Sequence, residues 1–152
     1  MSMLEDELAI RTLAATYTDT INRRLAEQAV ALYAPDGVLI FDGGRPITGD
    51  RLLKNFRYVL DTYPFIFQMT HSGIVELNGD TAKARWWLSE IGYNKTEHRL
   101  WAGTYEDELV RLPQGWRFKQ RLLTTHFTAP YPPGSEHIVP ANYQSVRSTQ
   151  AG

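Results

Sequence analysis

The hydrophobic period of this chain changes at Pro64, and this change constrains the possible folds more than any other feature. Before Pro64, apolar residues recur at spacings of three and four, which is typical of amphipathic helices. After it, apolar and polar residues alternate, which is typical of strands with one buried face. We therefore predict an α+β domain, in which a curved antiparallel sheet wraps around three N-terminal helices.

The helical part divides into three segments. Residues 4–34 predict two helices separated by the polar break Asn22–Arg24. A short β-branched and aromatic run, Val38–Phe41, predicts a first strand. The third helix begins at Asp50, a residue type suited to an N-cap, and ends at Pro64, because proline cannot continue a helix.

Four longer strands follow, joined by short polar connections. Their predicted ranges are 66–77, 81–93, 99–112 and 116–127. The sequence Asn78-Gly79-Asp80 is a strong signal for a tight hairpin. Residues 129–152 contain four prolines among Gly, Ser, Gln and Asn, so we expect a domain over 1–128 and an irregular tail that folds over a pocket as a lid.

Composition excludes several classes of function. The chain has no cysteine, which excludes disulfides, thiolate nucleophiles and cysteine metal sites. Its formal charge of −1 argues against nucleic acid or a membrane surface as a partner. No apolar run reaches the roughly 20 residues of a spanning helix, and acidic residues 5–7 argue against a signal peptide, so we expect a cytoplasmic protein. The 12% of aromatic residues can line a pocket as well as fill a core.

Strand alternation predicts which side chains face the helices. With Glu76 and Lys83 in solvent, the inner face carries two histidines and a glutamate among apolar residues, and a buried polar group needs a reason. The predicted inner residues are Met69, His71, Gly73, Val75 and Leu77, then Ala84, Trp86, Leu88 and Glu90, and finally Trp116, Phe118, Gln120, Leu122, Thr124 and His126. The same alternation places Arg117, Lys119 and Arg121 in solvent, beside Glu106 and Glu108.

Four segments resemble a known family. Leu32–Val38, Asn78–Ala82, Gly103–Arg111 and Gly115–Phe118 are similar to the nuclear transport factor 2-like superfamily, and within it to the SnoaL-like and scytalone-dehydratase-like group. The resemblance covers about residues 5–128. It implies a cone-shaped α+β barrel with a deep apolar pocket, a homodimer, and an enzyme without metal or other cofactor. Members include dehydratases, ketosteroid isomerase-like proteins, polyketide cyclases, epoxide hydrolases and a dehydrochlorinase.

The resemblance also suggests catalytic residues. Many scytalone-dehydratase-like members pair an Asp near the end of the first helix with a His on the strand after the third helix; here these positions fall on Asn22 and His71. Asn22 cannot take up a proton, but it can accept a hydrogen bond from an imidazole ring. We expect His71 to act as general acid–base, Asn22 to orient it, and Glu90 to be a second acid or base. The alternatives are a core histidine bonded to a backbone carbonyl and a helix-end cap at Asn22.

The expected pocket wall is aromatic and apolar, with tyrosine hydroxyls available to polarise a ligand oxygen. Its predicted members are Tyr17, Phe41, Phe56, Tyr58, Met69, Trp86, Trp101 and His126. Trp87 alternates with Trp86, so it points away from the pocket and predicts a subunit interface.

These observations favour a cofactor-free enzyme that transfers protons on a hydrophobic cyclic or aromatic metabolite, by dehydration, isomerisation or cyclisation. The alternative is a non-catalytic module that binds a lipophilic molecule or a partner protein. The orientation of His71 separates them: in an enzyme it faces a cavity beside another polar group, and in a structural protein it is tightly packed.

Overall fold

The computed structural model describes residues 2–130, and its element order confirms the predicted α+β class. The helices are α1 (Met3–Asn22), α2 (Ala26–Ala31) and α3 (Asp50–Thr62). The strands are β1 (Tyr33–Phe41), β2 (Ile47–Thr48), β3 (Phe65–Asn78), β4 (Thr81–Tyr93), β5 (His98–Leu112) and β6 (Gly115–Pro130).

The strands form one curved, unclosed sheet in the order β2-β1-β6-β5-β4-β3. Strands β3 to β6 form an antiparallel meander, and β1 joins it by pairing in parallel with β6. Helix α1 packs against β3 and β6. Because β3 is an edge strand, its unpaired backbone groups are available to side chains of α1.

Two element boundaries differ from the predictions. The second helix ends at Ala31, and β1 already begins at Tyr33, because Tyr33 pairs with Phe118 of β6. Tertiary pairing here overrides the local helical pattern. Strand β6 continues to Pro130, two residues beyond the predicted domain end at 128. The tail was predicted over 129–152 and the lid over 129–140. Residues 129 and 130 belong to β6, and the remainder of both segments lies outside the described residues.

The core is a cluster of aromatic rings under the middle of the sheet. Tyr17 of α1 meets the rings of Tyr33, Phe56, Tyr105 and Phe118 edge-on, at centroid distances of 5.7 to 6.4 Å. Such pairs contribute roughly 0.5–1.5 kcal/mol each beyond the burial of their area. Tyr17 and Phe56, which were predicted to line a pocket, are buried in this core.

Three irregularities in the sheet change which residues face inward. Each irregularity is a β-bulge, in which one strand has an extra residue relative to its neighbour. On β3, residues 71 and 72 together lie opposite the single residue Trp87 of β4. On β6, the extra residues relative to β5 are Lys119 and His126. Such a β-bulge shifts the alternation by one residue, so every side chain beyond it changes face. At the β3 bulge, a Cβ on Gly73 would lie 2.3 Å from the Trp86 ring, so only glycine lets the two strands approach this closely.

Candidate active site

The bulge on β3 places His71 on the outer face of the sheet. Its side chain is exposed, and its Nε2 lies 2.8 Å from the hydroxyl of Ser89, an outward residue of β4. The prediction that His71 faces the interior is therefore wrong. Met69 pairs directly with Ser89 and shares the outer face, so its predicted inward position is wrong as well. The alternation predicted from Gly73, Val75 and Leu77 does not extend back across the bulge.

Asn22 binds the backbone of β3 instead of an imidazole ring. Its Oδ1 accepts a hydrogen bond from the Gln68 backbone N–H at 2.7 Å, and its Nδ2 donates to the Gln68 carbonyl at 2.8 Å. The Asn22 amide thus forms the backbone hydrogen bonds that a neighbouring strand would otherwise form with Gln68 at this edge of the sheet. Asn22 is neither the partner of His71 nor a cap of its own helix, and its effect is to hold Gln68 at the end of α1.

Gln68 is the β3 side chain that enters the interior at this point. It is 4% exposed, and its Nε2 donates to Glu90 Oε2 at 2.7 Å and to the Tyr105 hydroxyl at 2.9 Å. Gln68 and Glu90 are direct partners in the pairing of β3 with β4. Sequence reasoning missed Gln68, although an isolated glycine inside a predicted strand, here Gly73, is a recognised sign of a bulge.

Glu90 lies on the inner face of β4, which agrees with the predicted alternation. Burial raises the pKa of the Glu90 carboxyl, and the hydrogen bond from Gln68 opposes this shift. Desolvation disfavours the carboxylate, whereas a donated N–H favours it. The site therefore contains one carboxyl group with an elevated pKa and an amide that contacts it directly.

Glu90 lines a cavity of about 200 Å³. Its remaining lining residues are Phe41, Asp42, Leu88, Trp101, Ala102, Gly103, Leu123 and Thr125. Trp101 is the partner of Glu90 across β4 and β5, and its ring meets that of Tyr63 edge-on at a centroid distance of 5.5 Å. The cavity is therefore lined by apolar and aromatic side chains together with the carboxyl groups of Glu90 and Asp42.

Asp42, the residue that follows β1, also lines the cavity. Its carboxylate accepts hydrogen bonds from the backbone N–H of Thr125 at 2.6 Å and from the Thr125 hydroxyl at 3.1 Å. These bonds tie the end of β1 to β6 beside the cavity. On β4, a Cβ on Gly92 would lie 2.5 Å from the Trp101 ring, so the absence of a side chain at Gly92 leaves the space that Trp101 occupies.

The other predicted wall residues are distributed over the molecule. Phe41 and Trp101 line the cavity, whereas Trp86 is buried in the core. Tyr58 is 70% exposed, because the buried face of α3 is formed by Leu52, Phe56 and Leu60. Its predicted place in the pocket is therefore wrong.

His126 is also misplaced by the alternation. It is the extra residue of the second bulge on β6, it is exposed, and its Nε2 lies 3.0 Å from the Thr104 hydroxyl. Its ring lies 6.0 Å from that of Trp87, which is on the outer face. His126 therefore does not line the cavity.

Arg121 is the largest departure from the sequence-based assignment. It was expected in solvent, yet it is 1% exposed, because the bulge at Lys119 turns it inward. Its Nε and a terminal nitrogen bind the two carboxylate oxygens of Asp107 at 2.8 and 2.7 Å, and Trp86 donates to the same carboxylate at 2.9 Å. Burial opposes the charge, but attraction by Asp107 outweighs it and raises the pKa of Arg121.

The guanidinium of Arg121 is also enclosed by aromatic rings. Its central carbon lies 3.9 to 4.3 Å from the ring centroids of Tyr17, Tyr105 and Phe118. Cation–π contacts of a desolvated guanidinium stabilise its charge by about 2 kcal/mol. Arg121 and Asp107 thus form a fully partnered ion pair in the core, next to Tyr105 and on the side away from Glu90.

Residues 2–130 contain neither a candidate metal site nor a candidate membrane-spanning helix. No group of three His, Cys, Asp or Glu side chains in this part of the chain is arranged to hold a metal ion. Within the same residues, no helix is long and apolar enough to cross a membrane.

Comparison with known proteins supports the fold and identifies the family. The model of the SnoaL-like domain matches residues 2–122. The chain belongs to the SnoaL-like domain family. An uncharacterized protein of Mycobacterium tuberculosis (strain ATCC 25618 / H37Rv) is 26% identical to this SnoaL-like chain over 129 residues, which cover 82% of this chain and 88% of the relative.

Solved structures agree with this family. A provisionally assigned scytalone dehydratase of Novosphingobium aromaticivorans is 21% identical, with a TM-score of 0.78 over 88% of this chain and 97% of that one. A type 2 hexachlorocyclohexane dehydrochlorinase is 17% identical, with a TM-score of 0.81 over 91% and 96% of the two chains. At these identities the likeness shows a shared fold. The predicted resemblance to the SnoaL-like group is confirmed by the family match over residues 2–122.

Proposed function

We propose that this protein transfers protons on a small hydrophobic molecule and that Glu90 is its acid–base group. The observation that carries the proposal is a carboxyl of raised pKa in the wall of a cavity that is also lined by the aromatic side chains of Phe41 and Trp101. A carboxyl of raised pKa is a stronger base when ionised, and its acid form persists to higher pH than that of an ordinary glutamate. The geometry does not assemble His71 and Asn22 into a catalytic pair, so we assign neither a proton-transfer role.

The proposed reaction is an elimination or isomerisation that begins at a carbon next to a carbonyl group. The Glu90 carboxylate removes a proton from this carbon, and the C–H electrons form a carbon–carbon double bond. In a dehydration, the β-hydroxyl leaves with the proton returned by the Glu90 carboxylic acid, so water is released. In an isomerisation, the same proton returns to a different carbon. Both reactions need only one carboxyl group that takes up and returns a proton, so we propose no cofactor.

The similar structures support this reaction class, and the cavity suggests the size and chemical type of the substrate. The similar structures include a provisionally assigned dehydratase and a dehydrochlorinase, whose names both describe eliminations. The cavity of about 200 Å³ is smaller than the roughly 300–1,000 Å³ of pockets for drug-sized ligands. Phe41 and Trp101 contribute aromatic side chains to its lining, which suit a flat molecule. We therefore propose a compact cyclic or aromatic ketone as substrate.

Proton exchange tests this proposal without knowledge of the natural substrate. The protein is incubated in D₂O with 1-indanone or 1-tetralone, and loss of the proton signal next to the carbonyl is followed by NMR. We expect the wild-type protein to accelerate exchange and Glu90→Gln to lose about 10²-fold or more of that acceleration. Glu108→Gln makes the same change at an exposed position of β5, and it should exchange like the wild type.

The outcomes separate the candidate functions. Full exchange in Glu90→Gln would overturn the assignment of Glu90. Loss of exchange in His71→Ala, a variant at the exposed outer face, would return the role to the histidine. Saturable binding of either ketone without any exchange would favour the alternative of a binding module.

We also propose that the protein is a homodimer that pairs through its outer sheet face. Trp87 is 54% exposed there, and Ile74 and Phe127 are exposed as well. Aromatic side chains that are exposed on the face of a sheet are typical of a protein–protein interface. Trp87→Glu should give a monomer of 17.4 kDa in light scattering, whereas Lys83→Glu on the same strand should leave the dimer intact. A wild-type protein that is monomeric at micromolar concentration would contradict the proposal.

A further inference from the structure

Gln68 is the polar neighbour of Glu90, and one amide nitrogen makes both of its interior contacts. Nε2 donates to Glu90 Oε2 and to the hydroxyl of Tyr105. The other end of the amide, Oε1, is buried and has no hydrogen-bond partner among the described residues. A buried acceptor without a partner costs about 1–3 kcal/mol, so its presence needs a reason.

The two ends of a glutamine amide suit opposite protonation states. An N–H matches a carboxylate, which only accepts hydrogen bonds, and a C=O matches a carboxylic acid, which donates one. Rotation of the Gln68 amide by 180° places Oε1 where Nε2 stands, within reach of Glu90 and Tyr105. A tyrosine hydroxyl can donate as well as accept, so Tyr105 fits either orientation. Both contacts are therefore filled in both states.

We propose that Gln68 positions Glu90 for proton transfer in both directions, donating its Nε2–H to the carboxylate and turning to accept the proton of the carboxylic acid. This role rests on the proposed function, because only an acid–base group needs a partner that fits both of its forms. Gln68 acts through Glu90 and is a positioning residue. Asn22 supports it by fixing the backbone from which this side chain extends.

Asp42 lines the same cavity as Glu90, and further titratable groups face Glu90 from three elements. Tyr17 of α1, Tyr63 at the end of α3 and Tyr105 of β5 all have raised pKa values, chiefly because they are buried. For Tyr63 the pKa rises to about 12, so the three hydroxyls stay neutral through the pH range in which a glutamate titrates. From β6, Arg121 is paired with Asp107, two residues beyond Tyr105 on β5. On the opposite face, His71 contacts Ser89, and a His71→Ala variant removes this ionisable group from the measurement.

NMR titration of the full chain tests the proposal without a substrate. We expect the side-chain amide signals of Gln68 and the carboxyl carbon of Glu90 to move with one common midpoint, and the Gln68 signals to become independent of pH in Glu90→Gln. Gln68→Met should raise the Glu90 midpoint by up to about one pH unit, because the charge-assisted hydrogen bond lost by the carboxylate is stronger than the neutral one lost by the carboxylic acid. Gln120→Met, the same change on the outer face of β6, should leave it in place.

Each outcome is informative about one proposal. The role of Gln68 would be overturned by an unchanged Glu90 midpoint in Gln68→Met. It would also be overturned if the Gln68 signals did not change as Glu90 titrates, a measurement that needs only the wild type and Glu90→Gln. If the coupled titration is found but ketone exchange is absent, the proposed reaction fails and the amide pairing stands. If both are present, the pH profile of exchange in Gln68→Met should shift upward with the Glu90 midpoint.

Discussion

Two polar pairs lie inside the same sheet, and they differ in how completely they are partnered. In the pair of Arg121 and Asp107, two parallel hydrogen bonds join the charges, Trp86 adds a third, and aromatic rings enclose the guanidinium. In the pair of Gln68 and Glu90, one hydrogen bond is made, one amide oxygen has no partner among the described residues, and the carboxyl borders a cavity.

The difference indicates which pair serves the fold and which serves the site. A buried charge with complete partners is held in a single state, and removal of either partner leaves the other uncompensated. A carboxyl with incomplete partners is less firmly held in its charged form, and burial raises the pKa of the Glu90 carboxyl, which favours its neutral form. The completed pair holds β5 to β6, while the incomplete pair remains available for chemistry.

The largest effect is expected when the completed pair is broken. Arg121→Met leaves the Asp107 carboxylate in the core without its cation, and it should lower the free energy of unfolding by about 3–5 kcal/mol in urea denaturation. Arg85→Met removes the exposed ion pair with Glu106 and should cost at most about 1 kcal/mol. Equal losses in the two variants would show that burial does not distinguish these pairs.

An effect of opposite sign is expected at Glu90. Its pKa is raised in the folded protein, so the native state loses stability as pH rises from the ordinary glutamate range through the folded pKa, and the loss is complete above it. Glu90→Gln removes this loss. We expect this variant to melt above the wild type at pH 8 and to approach it near pH 4, as measured by thermal denaturation.

The same experiment on Glu108→Gln provides the matched control, because Glu108 is exposed on the outer face. Its stability relative to the wild type should not depend on pH in this way. A Glu90→Gln variant less stable than the wild type at pH 8 would mean that the fold favours the Glu90 carboxylate. This outcome would contradict the raised pKa on which its assignment as acid–base group depends.

The smallest effect is expected where the two pairs meet, at Tyr105. Its hydroxyl accepts from Gln68 and its ring lies 4.1 Å from the carbon of the Arg121 guanidinium. Tyr105→Phe keeps the ring and removes only the hydroxyl, so it should lower the free energy of unfolding by about 1 kcal/mol in urea denaturation. Tyr58→Phe removes an exposed hydroxyl and should change nothing. A loss as large as that of Arg121→Met would show that the two pairs form one cooperative unit.

Much of the architecture could be predicted from residue patterns. The change of period at Pro64, the turn at Asn78–Asp80 and the N-terminal helices led to the observed element order. The inward position of Glu90 also followed from alternation, since β4 carries no extra residue relative to β5. These features are local, because each depends on the spacing of neighbouring side chains.

The composition of the site required the folded protein. His71, His126 and Arg121 were each assigned to the wrong face, and each lies in or just beyond a bulge. Alternation has a period of two, so one extra residue reverses every later assignment on that strand. Gly73 marks one bulge in the sequence, whereas Lys119 and His126 carry no such signal.

The sequence by itself thus determined the fold class, the order of its elements and a carboxyl group on the inner face of β4. Only the tertiary structure decided that this carboxyl meets Gln68 and not His71, and that Arg121 lies in the core. The physical reason is that strand pairing and close packing, such as the contact of Gly73 with Trp86, set where an extra residue is accommodated. That choice depends on partners distant in sequence, which no local pattern contains.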